Sequence, residues 1–233
     1  MKARTIGIVG GIGPEATVDY YRMLLAAFKR RGIDDYRSVL INSIDLDKAL
    51  RYLNADDRAG LVEFMIEPVE MLAKAGAEVG LFAANTAHIV FDEIQERSPI
   101  PLVSIVAATC DAAEKMQLER VGLIGTRFTM LGTFFPDHFS KRAIEIIVPD
   151  QYDIDYVHEK YLGELVPGVF LDETRDGIVA VLDRLRKNHD VGAVVLAGTE
   201  LPLLLRGVKY DLPLLDTATI HIEATVDAAV SLT

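Results

Sequence analysis

A single cysteine, Cys110, stands in the whole chain. No intrachain disulfide can form, and no cluster of thiolates is there to hold a metal. The five histidines are scattered and none has His-Glu-x-x-His spacing, so no metal site is expected. No apolar run approaches the ~18–20 residues of a membrane-spanning helix. A basic tract is missing too: 24 Lys and Arg face 35 Asp and Glu, a net charge of −11 with neutral His. Phosphate contacts need clustered Lys and Arg, so nucleic acid is not an expected partner. An anionic membrane surface is disfavoured on the same ground. Met1-Lys2-Ala3-Arg4 leads straight into Thr5-Ile6-Gly7-Ile8-Val9-Gly10. That apolar stretch is too short for a signal segment and reads as a strand. The expectation is a soluble, cytoplasmic protein.

What is present is core material. Half of the 233 residues are hydrophobic and a quarter are charged, which excludes an intrinsically disordered chain. The length suits one large domain or two small ones. Short β-branched runs alternate with helical stretches, predicting strands over 5–10, 38–44, 79–84, 101–105, 120–125, 143–148, 192–197 and 212–216. Helices are expected over 14–31, 56–75 and 173–188, where apolar residues such as Leu61, Phe64, Met65 and Val69 recur at three- and four-residue steps. Val79-Gly80-Leu81-Phe82-Ala83-Ala84 lacks polar alternation, as strands covered by helices on both faces do. The pattern is that of an α/β chain with parallel sheets.

An internal repeat runs through it. Ile6-Gly7-Ile8-Val9-Gly10 aligns with Val121-Gly122-Leu123-Ile124-Gly125, and the segment from Val79 to Thr86 aligns with that from Ala193 to Glu200. Ile100-Pro101-Leu102-Val103-Ser104 aligns with Leu212-Pro213-Leu214-Leu215-Asp216. Three matches in one order predict two pseudo-symmetric α/β lobes, residues 1–105 with 218–233 and residues 106–217. A ligand pocket is expected between them, where the carboxyl ends of the strands meet.

Three segments carry candidate chemistry. Gly10-Gly11-Ile12-Gly13-Pro14-Glu15-Ala16-Thr17 supplies backbone amides at a helix start, suited to a carboxylate or a phosphate. Its Gly11-x-Gly13-x-x-Ala16 spacing imitates a dinucleotide fingerprint with Asp45 ending the second strand, so a nicotinamide enzyme is one reading. A plain strand-to-helix turn is the bland alternative. Asn85-Thr86-Ala87-His88 and Thr199-Glu200-Leu201-Pro202 close equivalent strands of the repeat. Helix capping accounts for Asn85 and Thr86 in the bland reading, a structural histidine for His88 and a solvated carboxylate for Glu200.

On these segments, supported by Gly125-Thr126-x-x-Thr129 and Asp216-Thr217-Ala218-x-x-His221, the chain resembles the aspartate/glutamate racemase family, the pyridoxal-independent amino-acid racemases. The resemblance covers essentially the whole chain. It implies two lobes holding an amino acid or dicarboxylic acid between them, no cofactor, and a homodimer. It also implies two thiols on opposite faces of the ligand, one removing the α-proton and the other returning it. Substrate-binding positions carried over are Gly11, Ile12, Gly13, Asn85, Thr86, Thr126, Thr129 and Thr199.

The departure lies at the two thiols. The family's cysteines precede Asn-Thr-Ala-His and Thr-Glu, and here those positions are Ala84 and Gly198, with Ala197 before the second. Cys110 lies outside both motifs. Ser43-Ile44-Asp45-Leu46 lacks the Asn-Pro-x-Ile-Pro-Asp-Arg pattern of some aspartate racemases. Candidate catalytic groups become Thr86, His88, Thr199 and Glu200, with Glu15 and His221 as further titratable neighbours. Removing an α-proton needs a matched base and a stabilised carbanion, and racemisation needs such a group on each face. A single acid suffices for a one-sided step such as decarboxylation followed by protonation. The expectation is an isomerase or lyase that does not use two cysteines, the alternative a non-catalytic amino-acid-binding homologue.

Overall fold

The computed structural model describes residues 3–33 and 39–230, so Ser38, the first residue of one expected strand, lies outside the described residues. The chain forms two compact units, Met1–Ile105 with His221–Thr233, and Val106–Ile220. In the first unit the order is β1 Ile6–Gly10, α1 Pro14–Arg30, β2 Val39–Ser43, α2 Leu46–Asn54, α3 Arg58–Lys74 and β3 Val79–Phe82. A 3-10 turn, Thr86–Val90, then runs into α4 Phe91–Arg97. Next come α5 Ile105–Lys115, β4 Arg120–Gly125, α6 Arg127–Met130, α7 Phe134–Ser140, β5 Glu145–Ile147 and α8 Gln151–Lys160. A π-helical turn, Tyr161–Leu165, precedes α9 Asp172–His189, β6 Ala193–Ala197, α10 Leu201–Leu204, β7 Leu214–Asp216 and α11 Thr217–Val230.

Each unit contains one parallel sheet. The orders are β2-β1-β3 and β5-β4-β6-β7, and every pairing is parallel. The expected α/β architecture is therefore observed, and the repeat appears in the topology: β1 corresponds to β4, β2 to β5 and β3 to β6. β1, β3 and β6 are buried along their whole length. Helices supply the covering faces. α1 buries Ala16, Thr17, Tyr20, Leu24, Ala27 and Phe28, and α9 buries Thr174, Ile178, Val181, Leu182 and Leu185. Each fully buried Leu, Ile or Val contributes roughly 1.5–3 kcal/mol. Among the described residues no helix is long and apolar enough to cross a membrane.

One expected strand is missing. Over 101–105 only an isolated bridge forms, Gly80 with Leu102. The ladder begins normally, with the Gly80 N–H donating to Pro101 O and the Val103 N–H donating to Gly80 O, both at 2.9 Å. It then stops because side chains take the next backbone groups. His221 Nε2 meets Val103 O at 2.8 Å, and the Ile105 N–H donates to His88 Nε2 at 3.0 Å. In the second unit the counterpart segment pairs through Leu214, Leu215 and Asp216. Asp45 is a second difference: it lies beyond β2 and caps α2, accepting the Lys48 N–H at 3.1 Å. Its carboxylate thus has a local structural task, which weakens the ribose-binding role of the dinucleotide reading.

Candidate active site

The glycine loop after β1 is held by one hydroxyl. Buried Thr17 Oγ1 accepts the Gly11 N–H at 2.9 Å and donates to Gly13 O at 3.1 Å. Gly11 has φ +85°, and a Cβ there would sit 2.7 Å from both Ile44 N and Ser43 Oγ. Glycine is required for both reasons. Gly13 caps α1 with Pro14 in the first turn, and Ile12 packs its side chain on the first unit's core. The Gly11 amide is therefore spent inside the loop. Glu15 is exposed on the first turn of α1.

At the end of β3, Ala84 and Asn85 are buried, and Thr86 opens the 3-10 turn half-buried. His88 is buried with both ring nitrogens engaged. Nε2 accepts from the Ile105 amide, so the ring proton sits on Nδ1 and faces Ala84 O at 3.1 Å. His221 is the mirror case: Nε2–H donates to Val103 O, and Nδ1 accepts from the Tyr20 hydroxyl at 3.1 Å. Burial, together with the neighbouring His221, lowers His88 to about 3. Burial lowers His221 to about 4. Both imidazoles are neutral braces, and neither has a lone pair or N–H left to offer a ligand in this arrangement.

The end of β6 is built differently. Gly198, Thr199 and Glu200 are all buried. Glu200 Oε2 accepts the Tyr161 phenol and the Thr199 hydroxyl, the latter at 2.9 Å. Its other oxygen, Oε1, is buried with no hydrogen-bond partner. Burial raises the Glu200 carboxyl above the usual carboxylate range, against the lowering effect of the two hydroxyls. The Thr199 hydroxyl proton points to the carboxyl of its own neighbour, Glu200. Tyr161 carried no signal in the local pattern. It lies 39 residues before Glu200 and opens the π-helical turn that follows α8.

The remaining candidates are local braces. Thr126 caps α6, its Oγ1 3.1 Å from Thr129 Oγ1 and accepting the Thr129 N–H at 3.3 Å. Asp216 accepts the Ala218 and Thr219 amides at the start of α11, and the Thr217 hydroxyl donates to Leu196 O at 2.8 Å. Cys110 is buried in α5, and desolvation raises its thiol. Among the described residues no group of three His, Cys, Asp or Glu side chains is placed to hold a metal ion.

Duplicated parallel α/β units, each ending a buried strand in a compact polar segment, define the class. The chain belongs to the Asp/Glu/Hydantoin racemase family, whose model matches residues 9–225. It is 22% identical over 233 residues to the broad specificity amino-acid racemase RacX of Bacillus subtilis (strain 168), covering 95% of this chain and 96% of that protein. Among solved structures, a putative Asp/Glu racemase from Yersinia pestis is 29% identical with TM-score 0.85, covering 99% of this chain and 100% of that one. An aspartate racemase homologue from Pyrococcus horikoshii OT3 is also 29% identical, with TM-score 0.82 over 97% of this chain and 99% of that one.

Proposed function

We propose that this protein binds a small amino acid or carboxylic acid and carries out an isomerase- or lyase-type step on it without two thiols and without a cofactor. The observation that carries the reading is the residue pair at the thiol positions. Ala84 and Gly198 have no ionisable atom, so a proton must come from elsewhere. The strand end after β6 retains a buried carboxyl with one uncommitted oxygen, Glu200 Oε1. After β3 the nearest titratable group, His88, is fully engaged. Acid–base capacity on one side only suits one-sided chemistry: a carbanion formed by bond cleavage or proton shift is protonated once. Family membership supports the substrate class, and the strand-end segments with Asn85, Thr86 and Thr199 are the positions we assign to ligand recognition.

The test is proton NMR in D₂O across a panel of amino acids and dicarboxylic acids, including acids with both carboxyls on one carbon. Deuterium appearing at the α-carbon of substrate or product supports an enzyme. Calorimetric binding of a panel acid without any turnover supports the non-catalytic homologue instead. NADH binding by fluorescence titration would reopen the nicotinamide reading.

A further inference from the structure

We propose that the Tyr161 phenol is the proton donor of the β6 strand end, standing where a side chain at position 198 would otherwise reach. The inference rests on the enzymatic reading above and names the residue that performs its proton transfer. A Cβ built on Gly198 would lie 2.9 Å from both the Tyr161 Oη and Cζ, and closer still to Cε2. Tyrosine and a residue with a side chain at 198 thus compete for one volume, and here the phenol fills it. The π-helical turn Tyr161–Leu165 that extends α8 carries the ring; such widened turns occur often at functional sites.

The phenol is wired for relay. It donates to Glu200 Oε2, and its oxygen lies 3.5 Å from the Glu200 N–H. Thr199 steadies the same carboxyl oxygen. When Glu200 carries a proton on Oε2 the bond reverses, and the phenol hydrogen is free to point at a ligand. In the step itself a C–H bond forms at the substrate carbon that holds the electron pair, and the Tyr161 O–H bond breaks. The phenoxide takes the Glu200 proton along the existing hydrogen bond, and water reprotonates Glu200. One proton passes from solvent to carbon and no oxidant or reductant is involved. In a lyase step the electron pair is left by the departing CO₂; in an isomerase step it is left by a proton removed elsewhere on the substrate. Burial, with Glu200 alongside, holds the phenol well above its ordinary range, so it keeps its proton until a carbanion takes it. Lys160 and Glu164, the charged residues on its own turn, pair with each other at 2.5 Å.

Tyr161→Phe keeps the ring and removes the proton. On whichever panel acid the wild type turns over, this variant is expected to lose 10²–10⁴-fold in rate, with calorimetric affinity within threefold. Glu200→Gln, a positioning change, is expected to lower kcat more than it alters KM. As a second readout, 3,5-difluorotyrosine at position 161 retains the packing and acidifies the phenol, so kcat at a pH where Glu200 is protonated should change by more than threefold. Tyr161→Phe turnover within threefold of wild type, or a kcat that fluorination leaves unmoved, overturns this role and leaves the enzymatic reading standing. No wild-type turnover of any panel acid overturns both.

Discussion

The two strand ends occupy equivalent places in a repeated fold yet have been put to different use. After β3 the two imidazoles are consumed by structure: His88 and His221 replace the ladder bonds that a fourth strand would have made. After β6 the ladder continues into β7, and the buried polar groups form a hydroxyl–carboxyl cluster of Tyr161, Thr199 and Glu200. A duplicated backbone therefore does not enforce duplicated chemistry. Where side chains must satisfy backbone groups they are held out of proton transfer near neutral pH: each buried imidazole, bonded at both nitrogens, stays neutral in one tautomer.

Acid should separate the two units most strongly. The first unit's histidines are lowered to about 3 and about 4 in the fold, against about 6.5 unfolded. Below pH 6.5 the unfolded chain binds more protons than the folded one, so stability falls as pH falls, by about 1.4 kcal/mol per pH unit for each histidine. From pH 6.5 to 4.5 the pair should cost the first unit about 5 kcal/mol. Glu200, raised in the fold, acts with the opposite sign in the second unit, and His158, lowered by burial, acts with the same sign as the first unit's pair. Hydrogen exchange should show β1 and β3 amides losing protection before those of β4 and β6. Equal loss in both sheets would erase the contrast.

Truncation at the brace comes next. His88→Ala leaves the Ile105 N–H and the Ala84 carbonyl buried without their ring partners and opens a cavity, at about 3–5 kcal/mol in urea unfolding. A loss below 1 kcal/mol would mean that the histidine is not holding the strand end.

Adding cysteine sharpens the comparison from the other side. Ala84→Cys extends an existing Cβ by one atom and should cost less than about 1.5 kcal/mol. Gly198→Cys drives a Cβ into the Tyr161 ring and should cost about 1–3 kcal/mol. Thermal melts of the two single variants measure the difference, with Gly198→Cys expected to be the worse. The smallest effect is expected for Thr199→Val, which removes one donor to Glu200 and should cost about 0.5–1.5 kcal/mol. With one stabilising hydroxyl gone, the Glu200 carboxyl should also titrate at higher pH, readable by carbonyl-labelled NMR.

The fold was legible because its signals are local and repeated. Val121-Gly122-Leu123-Ile124-Gly125 reads as a strand by itself and again by its match to β1. The strand expected over 101–105 failed because its competitors are distant in sequence: His88 and His221 reach its backbone from 17 and 118 residues away. No periodicity records such a contact. At the candidate site, Glu200 and Thr199 were visible as an extra acid and hydroxyl at a strand end. Tyr161 was not, because it is recognisable only through the space beside Gly198. That glycine was the available hint, since a missing side chain at a tightly buried strand end implies that something else occupies the volume.

This member of a racemase family is expected not to run a two-thiol racemisation, because neither Ala84 nor Gly198 carries an ionisable atom. Positioned acid–base groups are worth about 10²–10⁴-fold each and act as a unit. Chiral chromatography of L- and D-aspartate and of L- and D-glutamate incubated with the unaltered protein tests it directly. Each enantiomer is expected to persist, with conversion far below ordinary enzymatic rates. Interconversion at ordinary enzymatic rates would contradict it and would require a base and an acid on opposite faces of the substrate that do not come from positions 84 and 198.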